Sequence, residues 1–195
     1  MAVRVLEAMT SPKHPLDTLY RRPGFMIRRA HQISVSLFLE ETGELGITNR
    51  QYGIMLVLRH QPGIDQITVA KLLGLDRSTT GMVLTKLEDA GLVGRIVGAN
   101  DRRRRSLKLT SAGERMLKRL AEPARRAQER VLSAFPPGER KTFLDLLDKF
   151  ARAFNDTTRV PQVAQHPSPL SFRGAANGSA RSAARWQAPR RTRNP

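Results

Sequence analysis

Residues 67–80 read I-T-V-A-K-L-L-G-L-D-R-S-T-T, and this stretch decides the fold. Asp65, just before it, can accept hydrogen bonds from the free N–H groups that begin a helix, and Gly74 is suited to end that helix. Asp76 can cap a second helix, which we expect to run to Ala90. A short helix, a tight turn and a second helix with small polar residues in its first turn predict a helix-turn-helix.

The next stretch predicts a β-hairpin. After Gly91 the spacing of apolar residues changes from helical to extended, with one β-like run at 92–97 and another at 107–109. The residues between them include G-A-N-D-R at 98–102, which suits a turn. A hairpin that directly follows a helix-turn-helix makes the unit a winged helix-turn-helix.

Further helices are expected on both sides of this unit. Pro23 suits the first turn of a long helix that ends near Gly43. Thr48 and Gln51 have the spacing of a capping box for a second helix, which Pro62-Gly63 ends. The expected order is therefore four helices, the hairpin and two helices, a mainly α fold with a small β-hairpin wing.

The two helices after the hairpin carry apolar faces. Ser111 and Glu114 have capping-box spacing, and the helix they would open carries apolar residues at alternating intervals of three and four, which predicts packing against another helix. Pro136-Pro137 interrupts the pattern, and a last helix follows. Its apolar face is long for a small monomer to cover, which favours a dimer: Phe143, Leu146, Leu147, Phe150 and Phe154.

The charge of the chain favours a polyanionic partner. Lys and Arg total 34 against 17 Asp plus Glu, which gives a net charge of +17 and a pI of about 11.6. Residues 156–195 contain seven Arg and one Asp without apolar periodicity, so we expect a disordered basic tail there. Subtracting it leaves 27 basic and 16 acidic residues in 1–155, a net +11. The predicted domain, 23–155, preceded by an N-terminal arm at 1–22, is thus basic in its own right.

Several classes of protein are disfavoured. No stretch approaches the ~18 apolar residues of a spanning helix, and the N-terminus lacks a signal-peptide pattern, so we expect no membrane partner and a cytoplasmic, nucleoid-associated protein. The sequence has no cysteine, and its four histidines show no metal-binding or carboxylate-paired spacing. No glycine-rich phosphate loop is present either. We therefore expect no catalytic residues, no metal and no cofactor, and no enzyme activity.

The candidate DNA contacts fall in two groups. The first turn of a recognition helix meets base edges in the major groove, and here that turn holds Arg77 and the run 78–80, which is Ser78, Thr79 and Thr80. The alternative for these residues is simple helix capping or a solvated charge. The predicted wing carries D-R-R-R-R: Asp101, Arg102, Arg103, Arg104 and Arg105. Guanidinium groups on a hairpin can lie along phosphates or enter a narrow minor groove, whereas the alternative is a solvated charge run.

These motifs resemble a known family. The stretches at 67–80, at 87–95 (L-E-D-A-G-L-V-G-R) and at 101–113 (D-R-R-R-R-S-L-K-L-T-S-A-G) are similar in order and spacing to those of the multiple-antibiotic-resistance regulator (MarR) family, over roughly residues 16–155. The resemblance implies a homodimer with dimerisation helices at about 23–44 and 111–155 and a DNA-binding part at about 48–110. It also implies regulation by small, often aromatic, anionic ligands.

The resemblance assigns roles to individual residues. Ser78 and Thr79 match the base-reading turn, and Asp101 with Arg103 matches the acidic and basic pair of the wing, from which Arg103 or Arg105 would reach the minor groove. Gly81-Met82 departs from the family, where many members have a polar residue and Arg. This departure shifts the expected contacts to the first turn, the wing and Lys86.

The resemblance also suggests an effector site. Arg28, His31 and Gln32 on the first long helix lie near where family members bind ligands, and a carboxylate could pair with Arg28 or Arg29. Solvated arginines and a histidine at a dimer seam are the alternative. The predicted function is a DNA-binding transcriptional regulator, expected to be a repressor, that binds double-stranded DNA as a homodimer at an inverted repeat. A non-specific architectural DNA-binding protein without ligand control is the alternative, because the charge and the Arg-rich tail would serve it equally.

Overall fold

Seven α-helices and one antiparallel pair of strands form the part of the chain that the computed structural model describes, residues 16–98 and 101–163. The side chains of 96–98 and 101–105 are not described. The helices are α1 (Asp17–Tyr20), α2 (Pro23–Thr42), α3 (Asn49–His60), α4 (Gln66–Leu73), α5 (Arg77–Asp89), α6 (Ser111–Leu132) and α7 (Pro137–Ala153), and the strands are β1 (Val93–Gly98) and β2 (Asp101–Leu109). This order confirms the predicted mainly α fold with a hairpin wing and adds the four-residue α1 inside the predicted arm.

The predicted caps at the first turns of α3, α4 and α5 are confirmed. The Gln51 N–H donates to Thr48 Oγ1 at 3.3 Å, and the Thr48 N–H donates to Gln51 Oε1 at 2.8 Å, which completes the capping box. Asp65 accepts from the Thr68 N–H at 2.7 Å. Each bond satisfies a backbone donor that the helix itself leaves free.

The turn between α4 and α5 follows from one residue. Gly74 has φ of 62°, the left-handed conformation that residues with a Cβ adopt only at a cost. In this conformation the Leu75 N–H donates to the Ala70 carbonyl at 3.0 Å, which closes the end of α4. The chain then reverses within three residues, and α5 begins.

The hairpin pairs residue by residue and is joined by a third segment. Val93 lies opposite Leu109 and Arg95 opposite Leu107, with a shift of register between Val97 and Gly98. Ile64 forms a bridge to Leu107, whose N–H donates to the Ile64 carbonyl at 2.9 Å. The loop before α4 is thereby fixed to the base of the wing.

The main core lies where α3, the helix-turn-helix, the base of the wing and the start of α6 meet. Its most buried side chains come from all of these elements: Ile54, Met55, Leu58, Val69, Leu84, Leu87, Leu107, Leu117 and Leu120. A smaller cluster of Phe38, Ala124 and Ala127 packs α2 on α6, and Tyr52 lies against it. In the part of the chain described, no helix has the length and apolar character to cross a membrane.

Ion pairs continue the contact between α2 and α6. Arg126 Nε lies 2.8 Å from Glu41 Oε2, while Arg130 contacts Glu41 at 3.1 Å and Glu40 at 2.8 Å. The hydrogen bond from Arg126, with that from Arg130, holds the pKa of Glu41 below its ordinary value. These exposed pairs orient the two helices more than they stabilise the fold, since surface ion pairs contribute little free energy.

The start of α6 differs from the prediction. The capping residue is Thr110, whose Oγ1 accepts from the Gly113 N–H at 3.1 Å, so the predicted Ser111–Glu114 capping box is wrong. Thr110 is favoured over Ser111 as the capping residue because its hydroxyl also donates to the Gly91 carbonyl at 2.6 Å, a contact across the base of the wing. Gly113 is buried there, and a Cβ at this position would lie 2.1 Å from the Leu92 carbonyl oxygen.

The segment after α7 also differs from the prediction, which placed a disordered tail from residue 156. A 3-10 helix spans Asn155–Thr157, and the Asn155 side chain then bonds Gln162 at 2.9 and 3.1 Å. The Gln162 amide donates to the Leu72 carbonyl at 2.9 Å, and the Val163 N–H donates to the Lys71 carbonyl at 3.0 Å. Amide groups of Gln162 and Val163 thus fix the end of this segment to carbonyls in the last turn of α4. Residues 164–195 of the predicted tail lie outside the described residues.

The close approach at Gly113 generates a prediction. Gly113→Ala places a methyl group against the backbone of Leu92, so we expect a loss of roughly 1–3 kcal/mol in the free energy of unfolding, measured by chemical denaturation. Gly138→Ala in α7, where nothing lies within 4 Å of the new Cβ, is the matched control. It should be neutral or stabilising by up to ~1 kcal/mol. Equal stability of the two variants would contradict the packing described here.

Candidate nucleic-acid interface

The first turn of α5 exposes its two leading residues, and its backbone is held in place. Asp76 accepts from the Thr79 N–H at 2.7 Å, which fixes where the helix begins. From α4, the Gln66 side-chain amide donates to the Arg77 carbonyl at 3.1 Å. The side chains of Arg77 and Ser78 are exposed. Among the described residues, the Ser78 hydroxyl has no hydrogen-bond partner, so it is available to an external group.

Thr79 is only partly available. Its hydroxyl donates to Asp76 Oδ2 at 2.6 Å, so its proton is used within the cap and its oxygen remains as an acceptor. The hydrogen bonds from the Thr79 hydroxyl and backbone hold the pKa of Asp76 below its ordinary value. The cap therefore keeps a negative charge at the N-terminus of α5, where the helix dipole favours it.

Thr80 does not fit its predicted role in DNA binding. Its side chain is 0% exposed, and its hydroxyl donates to the Asp76 carbonyl at 2.9 Å. Thr80 lies four residues before Leu84 and seven before Leu87, both fully buried, so it belongs to the core face of α5. The prediction that Thr80 contacts DNA is corrected on this ground. The helical spacing of Thr80 from Leu84 and Leu87 is the sequence feature that indicates this buried position.

The outer face of α5 extends the exposed first turn along the helix. Lys86 is exposed near the end of α5, as is Thr85 beside it. Met82 is 60% exposed on the same outer surface. The neighbouring Gly81 faces α4 instead, where the Gln66 amide would lie 3.0 Å from a Cβ at position 81. The structure thus brings Arg77, Ser78 and Lys86 to one exposed helix.

The wing places the predicted arginine run on strand β2. Residues 101–105 belong to β2 by their backbone, while the side chains of Asp101 and of the four arginines lie outside the described part. The roles of Arg102, Arg103, Arg104 and Arg105 therefore stay predictions. Sequence reasoning missed Arg95, whose Nε lies 2.5 Å from Glu88 Oε1 and ties β1 to the end of α5. No periodic pattern marks such a pair, because its residues belong to different elements.

The predicted effector residues share one side of α2. Arg28, His31 and Gln32 are separated by three and four residues, and all three are exposed. The Arg28 guanidinium lies 4.9 Å from the ring centroid of Phe25, a cation–π contact. No described contact joins these side chains to α3, α4 or α5.

A second exposed surface is apolar. α7 buries none of its residues, and its apolar side chains are about half exposed. Apolar side chains of α1 and α2 are similarly exposed. We call this set the apolar end face: Leu16, Leu19, Tyr20, Met26, Ile27, Ile33, Leu39, Leu146, Leu147, Phe150 and Phe154. Single exposed apolar residues are ordinary, whereas several exposed apolar residues on one short helix, as on α7, indicate an interaction surface.

Comparisons with known proteins agree with this geometry. A protein-family model described as MarR family matches residues 45–104, which hold α3 to α5 and most of the wing. A putative transcriptional regulatory protein for the hcr operon of Thauera aromatica is 30% identical over 135 residues, 69% of this chain and 81% of that protein.

Two solved regulators share the fold over nearly their whole length. The PcaV transcriptional regulator from Streptomyces coelicolor is 34% identical, with a TM-score of 0.60 over 68% of this chain and 96% of its own, and it has also been solved with its natural ligand. The repressor CouR bound to a 23-mer DNA duplex is 28% identical, with a TM-score of 0.66 over 72% of this chain and 100% of its own. CouR from Rhodococcus jostii has also been solved with p-coumaroyl-CoA.

Proposed function

The chain belongs to the MarR family of transcriptional regulators, and on that premise we propose that it is a sequence-specific repressor that acts as a homodimer on an inverted-repeat operator. The observation that carries the proposal is the first turn of α5, which exposes Arg77 and Ser78, is capped by Asp76 and leaves the Ser78 hydroxyl without a partner among the described residues. Such a turn is the part of a helix-turn-helix that meets base edges. Acting on operator DNA would keep the protein with the nucleoid.

In this proposal the two DNA-reading elements do different work. Ser78 and the acceptor oxygen of Thr79 meet base edges in the major groove, and Arg77 and Lys86 meet phosphates or bases beside them. On the wing, Asp101 orients one arginine, and Arg103 or Arg105 enters the minor groove while Arg102 and Arg104 lie along phosphates. CouR, a repressor of similar fold, has been solved on a DNA duplex, which supports the binding of duplex DNA by this chain.

The proposed dimer covers the apolar end face. α7 has no fully buried residue within one chain, and the ring centroids of Phe150 and Phe154 lie 5.3 Å apart in a tilted arrangement, with both rings about half exposed. A second copy would remove these rings from water, which favours association by roughly 25 cal/mol for each Å² of apolar area buried. Two-fold symmetry then places the recognition helices about one turn of DNA, ~10 bp, apart.

We further propose that a small anionic, aromatic ligand releases the protein from DNA. Arg28 supplies the cation, while His31 and Gln32 supply neighbouring hydrogen-bond groups on the same side of α2. PcaV has been solved with its natural ligand, and CouR with p-coumaroyl-CoA, which supports ligand control of this chain. The site would be completed by the second copy, because these side chains are exposed in one chain.

A non-specific architectural protein is the second candidate, favoured by the net charge of +17. Competition separates the two functions. A specific regulator keeps a large preference for its operator when random duplex is added, typically 10³-fold or more, whereas an architectural protein does not.

Ser78 and Arg103 should give different signatures in DNA binding. Ser78→Ala removes a short polar group without changing charge, so the preference for operator over random duplex should fall by about 1–3 kcal/mol at an unchanged salt dependence. Arg103→Ala should lower the affinity for the operator by roughly 1–3 kcal/mol and make the salt dependence shallower, with a smaller loss of preference. Titrations at several salt concentrations measure both.

Two controls accompany these titrations. Arg152→Ala also removes one positive charge, but from α7, which is distant from the wing in sequence. Its affinity for the operator should stay close to that of the wild-type protein. Thr79 is left intact because its hydroxyl belongs to the Asp76 cap. A folded Ser78→Ala protein that prefers its operator as strongly as wild type would contradict base reading at this turn and favour the architectural alternative.

The dimer is tested on α7. Phe150→Glu puts a charge into the apolar end face and should shift the protein from dimer to monomer at micromolar concentration in sedimentation experiments. Arg152→Glu introduces the same side chain on the opposite side of α7 and should stay dimeric. A wild-type protein that sediments as a monomer and binds its operator would refute the dimer.

The ligand is tested by release from operator DNA. Among aromatic carboxylates, beginning with p-coumarate, we expect at least one to lower the affinity of the wild-type protein for its operator. Arg28→Gln should need about tenfold more of it, the effect of losing one charge-assisted hydrogen bond. Arg119→Gln, an exposed cation on α6, should behave as wild type. Equal responses of both variants would remove Arg28 from the site.

A further inference from the structure

The outer surface of α5 is polar except at Met82. Leu84 and Leu87 of this helix are fully buried, whereas Met82 is 60% exposed. Of the exposed large apolar residues in the described chain, Met82 is the one on α5. It therefore lies apart from the core, and it is absent from the helices that carry the apolar end face.

The position of Met82 on α5 puts it between two proposed DNA contacts. It follows Ser78 by four residues and precedes Lys86 by four, so the three side chains lie one above the other on the same face. If the first turn of α5 enters the major groove of DNA, this face of the helix enters the groove with it. A Cβ at Gly81 would point toward the Gln66 side chain of α4, so position 81 does not belong to this face.

The major groove offers one kind of apolar group to such a side chain. Its edges display hydrogen-bond donors and acceptors, and in addition the 5-methyl group of thymine. A thioether makes weak hydrogen bonds, but its flexible chain adapts well to apolar surfaces.

We propose that Met82 is a specificity-determining residue that contacts the 5-methyl group of a thymine, at a base pair next to the one that Ser78 reads. This inference rests on the proposed DNA-binding function. It gives the departure at Gly81-Met82 a positive role: the middle of the recognition helix selects a base through apolar contact where a polar residue would use hydrogen bonds.

The experiment uses the full-length protein and proceeds in two stages. First, the preferred duplex is selected from a library with a randomised core. Each thymine of that duplex is then replaced by deoxyuridine, which differs only in lacking the 5-methyl group. For one thymine in each half-site, the replacement should weaken wild-type binding about threefold to tenfold, as expected from losing contact with one methyl group.

Variants of Met82 assign that loss to the side chain. Met82→Ala should bind the thymine and deoxyuridine duplexes equally, and Met82→Leu, which keeps an apolar side chain of similar size, should retain the difference. Ile67→Ala is the matched control, because Ile67 is also exposed, at 48%, but lies on α4. It should retain the full thymine preference. Thermal unfolding checks that each variant is folded, as expected for exposed positions.

The outcomes separate this inference from the function on which it rests. Failure to select any preferred duplex would overturn the proposed function and this inference together. A selected duplex in which no thymine matters, or in which Met82→Ala keeps the wild-type preference for thymine, would overturn the role of Met82 and leave the regulator intact.

Discussion

Three elements of this protein meet at the carbonyl oxygen of Leu92. This atom accepts the Thr110 N–H at 3.0 Å, at the point where α5 has just ended and β1 begins. Thr110 also caps α6 and donates to the Gly91 carbonyl. The recognition helix, the wing and the long helix that leads away from them are thus fixed to one another within a few residues. Gly113 is the residue that lets them approach so closely.

The rest of the DNA-binding part is built outward from this junction. Arg95 joins Glu88, so the base of the wing is fixed to the far end of α5. At the near end, Asp76 caps the first turn of α5, and the Gln66 side chain holds that turn to α4. A helix held at both ends presents its outer face as a rigid surface, which is what discrimination between similar base pairs requires. The Asp76 cap also explains why the Thr79 hydroxyl is bonded within the helix whereas the Ser78 hydroxyl is free among the described residues.

The features that could be predicted from sequence are those that depend only on interactions between residues close together in the chain. The caps at Thr48, Asp65 and Asp76 need only residues three positions apart, and the reversal at Gly74 needs only its own backbone freedom. The first residue of α6 could not be predicted in the same way, because the Thr110 cap depends on a contact with the Gly91 carbonyl, 19 residues away. Position in the first turn alone assigns Thr80 to the DNA surface, whereas its helical spacing from Leu84 and Leu87 places it on the buried face of α5. The roles of the effector residues stay predictions, because no described contact joins Arg28, His31 or Gln32 to α3, α4 or α5.

The segment after α7 has a practical consequence. Its hydrogen bonds to Lys71 and Leu72 bring Val163 beside the helix-turn-helix, although the sequence separates the two by about ninety residues. Val163 is 53% exposed, and the chain contains no cysteine. A single cysteine introduced at this position would therefore be a unique attachment point for a fluorophore. A dye there would report on the DNA-binding part of the molecule. From its position in the sequence alone, just after α7, residue 163 would be expected to report on the last helices.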